Sequence, residues 1–209
     1  MEPRVYQYPV PPDGDCLYSS LALALKMPGN ENLYHIFNHL SYYHANTIPN
    51  LKNNLYDVEL FTARHLRIFI ATVAIQDITI ANNYREHLEN MFILSQSDPQ
   101  ILYEYPFIKQ CADPFTNKFS KAYLYRTMLM PVYWGGEFVL RVIQHYYNIQ
   151  IVIISSSGKT LLNPPENTLV SLMLYYNGSH YNPIVYETTD NKTCIVPNDK
   201  VDYYIGLFG

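Results

Sequence analysis

The sequence predicts an α+β fold from three observations. Apolar residues recur at helical spacing through the middle of the chain, and β-branched runs broken by turn residues fill its later part. The third is composition: 48% hydrophobic residues against 15% charged in 209 residues, with 21 tyrosines, is enough to build one continuous core and argues against disorder.

Taken in order, Val5 to Pro12 reads as an extended arm closed by two prolines. Asp13-Gly14 is a turn dipeptide, and Cys16 to Lys26, rich in Leu and Ala, is a buried helix ended by Met27-Pro28-Gly29. Asn30 can cap a second helix reaching about His44, with Leu33, Phe37 and Leu40 on one face. Val58, Phe61, Leu66, Phe69, Ile70 and Val73 predict a long helix from Asp57 to about Ala74, and Tyr84 to Leu94 a shorter one. Asp98 to Asn117 reads as irregular. Trp134-Gly135-Gly136-Glu137 opens a helix reaching Tyr147, and Ile149 to Ile154 is a buried strand. Asn163-Pro164-Pro165 makes a loop, Leu169 to Tyr176 a strand, Asn177-Gly178-Ser179 a turn, and His180 to Tyr186 a strand paired with the one before. No repeat, low-complexity tract or Gly/Ser linker divides residues 1–209, so one domain is expected.

Several function classes are disfavoured. A net charge of -4 is a weak footing for phosphate neutralisation, so no nucleic-acid partner is expected. The longest apolar candidate, Ile68 to Ile80, is short and includes Gln76 and Asp77, whereas a membrane span needs roughly 18 uncharged residues. The first residues show no secretory pattern, which points to the cytoplasm. Cys16, Cys111 and Cys194 lie far apart with no CxxC pair, so neither a disulfide framework nor a zinc ribbon is indicated. His35 and His39 are four apart, but without HExxH or a third ligand they make no metal site.

Chemistry gathers at two places. A thiolate at a helix start is favoured by unpaired peptide N–H groups and by the helix dipole, so Cys16 is placed as a nucleophile would be. The amides near Asp15 and Cys16 could hold an oxyanion, Gly14 lets backbone approach the substrate, and Asp13 would brace the loop. His180, at a turn-to-strand junction, has Asn182 two residues on and therefore on the same side of the strand. An amide oxygen there could hold one imidazole nitrogen and leave the other facing a thiol. Taken singly, each has a plainer reading: Cys16 as a small apolar residue starting a core helix, His180 as a satisfied strand-end histidine. His44, His65, His87 and His145 read as solvated or hydrogen-bonded helix residues.

Together, Pro12-Asp13-Gly14-Asp15-Cys16-Leu17-Tyr18, then Trp134-Gly135-Gly136-Glu137 with the strand Ile149 to Ile153, then His180-Tyr181-Asn182 resemble the ovarian tumour (OTU) cysteine proteases, a family of deubiquitinases. The resemblance runs from about Tyr8 to Tyr186. It implies an OTU-like cysteine protease fold with a small central sheet between helical layers. It also implies Cys16 as nucleophile, His180 as general base, Asn182 as its orienter and Asp13 as support for the loop, with an oxyanion hole at Gly14, Asp15 and Cys16. The activity implied is cofactor-independent hydrolysis of isopeptide bonds after the C-terminal Gly-Gly of ubiquitin. Partners would be ubiquitin or polyubiquitin chains, acting on a monomeric enzyme. The rival readings are a peptidase for a ubiquitin-like modifier or a viral polyprotein, and a non-catalytic ubiquitin-binding module. Composition resembles compact OTU enzymes of viruses or intracellular pathogens, which would place the protein in a host cytoplasm. Two positions depart from the family's common pattern: Asp15 where Asn is frequent, and Tyr18 where Phe is. An extra carboxylate beside Cys16 is expected to oppose thiolate formation unless it faces solvent.

Overall fold

The computed structural model describes residues 3–27, 63–163 and 166–208. The helix expected from Asn30 to His44, the start of the one expected from Asp57, and Pro164-Pro165 lie outside the described residues. In chain order the elements are β1 (Arg4–Gln7), α1 (Cys16–Lys26), α2 (Ala63–Ala74), α3 (Thr79–Leu94), α4 (Pro99–Glu104), β2 (Ala112–Asp113), β3 (Lys118–Phe119), α5 (Lys121–Met128) and α6 (Glu137–Tyr147). Strands then dominate: β4 (Gln150–Ser155), β5 (Gly158–Leu161), β6 (Val170–Tyr176), β7 (Tyr181–Glu187), β8 (Lys192–Thr193) and β9 (Ile195–Pro197), followed by α7 (Val201–Leu207).

The central sheet runs β1-β7-β6-β4-β5, with β8 added to β7 and β9 to β6. β4 and β6 are parallel; the other pairs are antiparallel. Alternation along β4 shows why the sheet is central. Ile151 and Ile153 join the larger core with α1, α2 and α6, while Val152 and Ile154 turn to a smaller core beneath Val201, Tyr204, Ile205 and Phe208 of the C-terminal segment. The sheet thus lies between a thick helical layer and a thin one, as an α+β OTU-like fold requires. The thin layer is α7, a helix past the last predicted element. Its signal is a helical spacing of four apolar residues confined to the chain's last turns.

α1, α2 and α6 fall where the turn, the apolar periodicity and the Trp-Gly-Gly-Glu motif place helices, and each buries apolar side chains. α2 sinks Leu66, Phe69, Ile70 and Val73, side chains whose burial contributes about 1.5–3 kcal/mol each. α6 begins directly after the two glycines, carries an i,i+4 pair between Glu137 and Arg141, and ends where Asn148 takes a left-handed φ of 49°. α3 starts at Thr79, earlier than Tyr84, because its first turn is half exposed and lacks a strong apolar stripe. The stretch from Asp98 to Asn117 is more ordered than expected. Asp98 caps α4 by accepting the Gln100 N–H at 2.9 Å, and the Asp113 carboxylate accepts the Phe115 and Thr116 N–H groups to close the β2–β3 hairpin. α5 buries only Leu124, Thr127 and Met128, too sparse a face to announce itself, and β5 is exposed throughout. Among the described residues, no helix is long and apolar enough to cross a membrane.

Candidate active site

Cys16 is the first residue of α1 and is half-buried, whereas Leu17 and Tyr18 behind it are fully buried and anchor the helix start in the core. Two glycines allow this junction to close. A Cβ on Gly14 would stand 2.4 Å from the Pro131 carbonyl oxygen, and one on Gly135 would stand 2.8 Å from Leu17 Cδ2 and 3.1 Å from Tyr18 Cε2. The Asp-Gly and Trp-Gly-Gly motifs therefore form one packed unit. Trp134 itself is 70% exposed and takes no part in the core.

Asp13 braces this loop from within. Its Oδ1 accepts the Asp15 N–H at 2.9 Å and its carbonyl accepts the Cys16 N–H at 3.2 Å. The two amides expected to be unpaired are therefore donated to Asp13, because the loop folds back through one tight turn. The Asp15 carboxylate, which the sequence sets against the neighbouring thiolate, is instead paired with the guanidinium of Arg67, a residue 4% exposed on α2. Its charge is spent on that partner. Tyr18, the other departure from the family pattern, lies with its ring 4.2 Å beneath the same guanidinium.

The histidine half of the site is built by a turn. Asn177 Oδ1 accepts the backbone N–H groups of Ser179 and His180 at 3.0 and 2.9 Å, Gly178 takes a φ of 101°, and the chain enters β7. His180 Nε2 is then 3.1 Å from Asn182 Oδ1. That oxygen also accepts the Val10 N–H at 3.1 Å, and Asn182 Nδ2 donates to Gln7 Oε1 at 3.2 Å. A backbone N–H can only donate, so the amide's orientation is determined, and an amide oxygen can only accept, so Nε2 carries the imidazole proton. Nδ1 is left as the basic nitrogen.

The two halves are joined by Ser20, one turn along α1 from Cys16. Its hydroxyl donates to the Tyr181 carbonyl at 3.0 Å. Tyr181 lies close enough to Cys16 for the thiol to help raise its phenol pKa to about 12, an effect due first to burial and then to Tyr176. Cys16 opens α1 and His180 stands one residue before β7, and the Ser20 bond joins the two elements near those residues; among the described residues no hydrogen bond joins the Cys16 thiol to the His180 ring.

The remaining candidates fall away. Cys111 and Cys194 are buried; burial pushes the Cys111 thiol up to about 11 and the Cys194 thiol higher still. His87 Nε2 is 2.9 Å from the Tyr105 hydroxyl, and His145 packs edge-on against Tyr146. His35, His39 and His44 lie outside the described residues, and among the described ones no three metal-ligating side chains cluster. A groove of about 850 Å³ between α3 and α6, walled by Tyr84, Tyr105, Phe107 and Trp134, does not include Cys16, His180 or Asn182. Sequence reasoning missed Arg67, Ser20 and the contacts of Gln7 and Val10, within the predicted arm, with Asn182. Arg67 had a signal, since it interrupts an apolar helix face; the other two had none.

No family model and no curated protein matches the chain in sequence. Solved structures do match. An ovarian tumour (OTU) domain in complex with ubiquitin superposes over 99% of this chain and 82% of its own, with a TM-score of 0.53 at 14% identity. The chain has the fold of an OTU domain. Two further OTU structures align less closely: the OTUD1 OTU domain, with a TM-score of 0.42 at 15% identity over 86% of this chain and 85% of its own, and an OTU deubiquitinase from Wolbachia pipientis wMel bound to ubiquitin, with 0.45 at 12% over 87% and 95%. In this OTU fold, the turn before α1 leads into Cys16, and His180 stands one residue before β7, which carries Asn182.

Proposed function

We propose that the chain is a thiol-dependent deubiquitinase that hydrolyses the isopeptide bond after the C-terminal Gly-Gly of ubiquitin. One observation carries the reading: Asn182, held by both Gln7 and Val10, orients His180 through Nε2, on a strand bonded to α1 one turn from Cys16. A buried structural histidine needs no such positioned partner with its second nitrogen left free. The ubiquitin seen on a solved OTU domain of the same fold supports the substrate class.

In this reading His180 Nδ1 takes the Cys16 proton and the sulfur attacks the carbonyl carbon. Substrate has to close the sulfur–imidazole gap, as active sites without ligand often require. The oxyanion takes the Asp15 and Cys16 amides in exchange for Asp13. The imidazolium then protonates the leaving lysine amine, and the C–N bond breaks. Nδ1 next deprotonates a water, which cleaves the thioester and returns the thiol.

The test is incubation with ubiquitin, and in parallel with ubiquitin-like modifiers, carrying a C-terminal electrophile. Covalent attachment of ubiquitin to Cys16, located by peptide mass mapping, is the expected result. Attachment of a ubiquitin-like modifier alone would shift the substrate; attachment of none, by a folded protein, would reject the enzyme.

A further inference from the structure

Arg67 is the most heavily bonded side chain beside the site, and its partners are not scattered. Nη1 donates to the carbonyls of Met128, Met130 and Tyr133 at 2.7, 3.1 and 2.9 Å. Nε donates to Asp15 Oδ1 at 2.7 Å, and Nη2 donates to the same oxygen and to the Gly14 carbonyl at 2.9 Å. One guanidinium thus ties the two residues before Cys16 to the loop that leads into Trp134-Gly135-Gly136.

The Gly14 carbonyl matters most. In a trans peptide the carbonyl and the following N–H point in opposite directions. Bonding the Gly14 oxygen to Nη2 therefore sets the direction of the Asp15 N–H, the amide the proposed reaction aims at the oxyanion. The same amide is bonded at its other end to Asp13 Oδ1. Its plane is held from both sides, and the side chain of Asp15 adds a third hold through Nε and Nη2. A lysine could not do this, since one ammonium cannot reach five acceptors in a planar fork.

We propose that Arg67 is a positioning residue for acyl transfer, fixing the Gly14–Asp15 peptide plane from the buried face of α2. The proposal rests on Cys16 being the nucleophile of a hydrolase, and it deepens that reading without depending on ubiquitin. It separates two chemistries of one sulfur. Acylation develops an oxyanion and needs the amide, whereas alkylation by iodoacetamide develops none.

The test compares the wild type with Asp15→Asn and Arg67→Lys. Acylation of Cys16 by p-nitrophenyl acetate is followed beside the limiting alkylation rate at high pH, and exchange of the Asp15 amide hydrogen is read by NMR. Both variants are expected to acylate at least ten-fold more slowly, to alkylate within about two-fold of wild type, and to exchange the Asp15 amide at least ten-fold faster while the α2 amides are unchanged. Acylation and alkylation falling together would make Arg67 merely structural, and unchanged acylation would equally overturn the proposal. If Arg67→Lys does not fold, Arg67→Gln, whose single amide group cannot serve the Gly14 carbonyl, Asp15 and the Met128–Tyr133 carbonyls together, takes its place in all three readouts. A wild type that alkylates but never acylates would sink the hydrolase reading; amide exchange would still report whether the clamp exists, and unchanged exchange in the folded Arg67 variant would overturn it.

Discussion

At the turn between α2 and α3, Arg85 donates to the Ala74 and Gln76 carbonyls at 2.7 and 2.8 Å and to the side chains of Asp77 and Asn82. At the start of α1, Arg67 makes a similar set of bonds to carbonyls and an aspartate. Both arginines are nearly buried, 8% and 4% exposed, and both satisfy carbonyls that would otherwise be orphaned. They differ in reach. All of Arg85's partners lie between Ala74 and Asn82, so it staples a local turn, while Arg67 joins three segments far apart in the chain. The same side chain is thus a local fastener in one corner and a long-range organiser in the other. Only the second corner borders the proposed chemistry.

The largest consequence belongs to the thiol that the Arg67 corner presents. Cys16→Ala should abolish hydrolysis of diubiquitin with little change in thermal stability, and Cys111→Ala and Cys194→Ala, lying in the core, should stay active if folded. Activity surviving in the first, or vanishing from a folded second or third, would move the chemistry elsewhere. Next comes Asn182→Ala. Losing the group that orients Nε2 should lower kcat by roughly ten- to a thousand-fold with KM hardly changed, a smaller loss than that of His180→Ala. Equal losses would mean that Asn182 does more than orient.

Stability should separate the two arginines themselves. Arg67→Met leaves a charge and several distant carbonyls unpaired and should cost about 3–5 kcal/mol in denaturant unfolding. Arg85→Met removes bonds within one turn and should cost about 1–3 kcal/mol, with acylation of Cys16 unchanged. Reversed rankings would show that reach in sequence does not set the cost.

The buried thiol of Cys111 sharpens the same point with pH. Its folded value of about 11 lies above the ordinary 9.0, so the folded state keeps its proton longer than the unfolded one. The stability this gives is fully present below about pH 9 and is lost as pH rises to 11, amounting to roughly 2–3 kcal/mol. Urea unfolding across that range should show the loss in wild type and a shallower one in Cys111→Ala.

Residue order alone accounts for the elements whose cause is local. Leu17, Leu21 and Leu25 repeat at helical spacing, Asp13-Gly14 and Asn177-Gly178 demand turns, and the β-branched run at Ile149 to Ile154 demands a buried strand. It also determined that His180 and Asn182 share a side, since a strand's period is two, and the 3.1 Å bond between them bears this out. Asp15 shows where local reading stops. Next to Cys16 in sequence, it read as a charge acting on the sulfur, and only the packed chain turns it toward Arg67 on another helix. The amides of Asp15 and Cys16 likewise read as free, because a helix start leaves them so, until Asp13 folds back onto them. Gln7 and Val10 carry no motif at all, yet pairing of β1 with β7 brings them to Asn182. A hydrogen bond between distant segments depends on three-dimensional closure and not on neighbours in the chain, so it leaves no period or spacing to read. Packing between distant segments selects which polar groups hold the site.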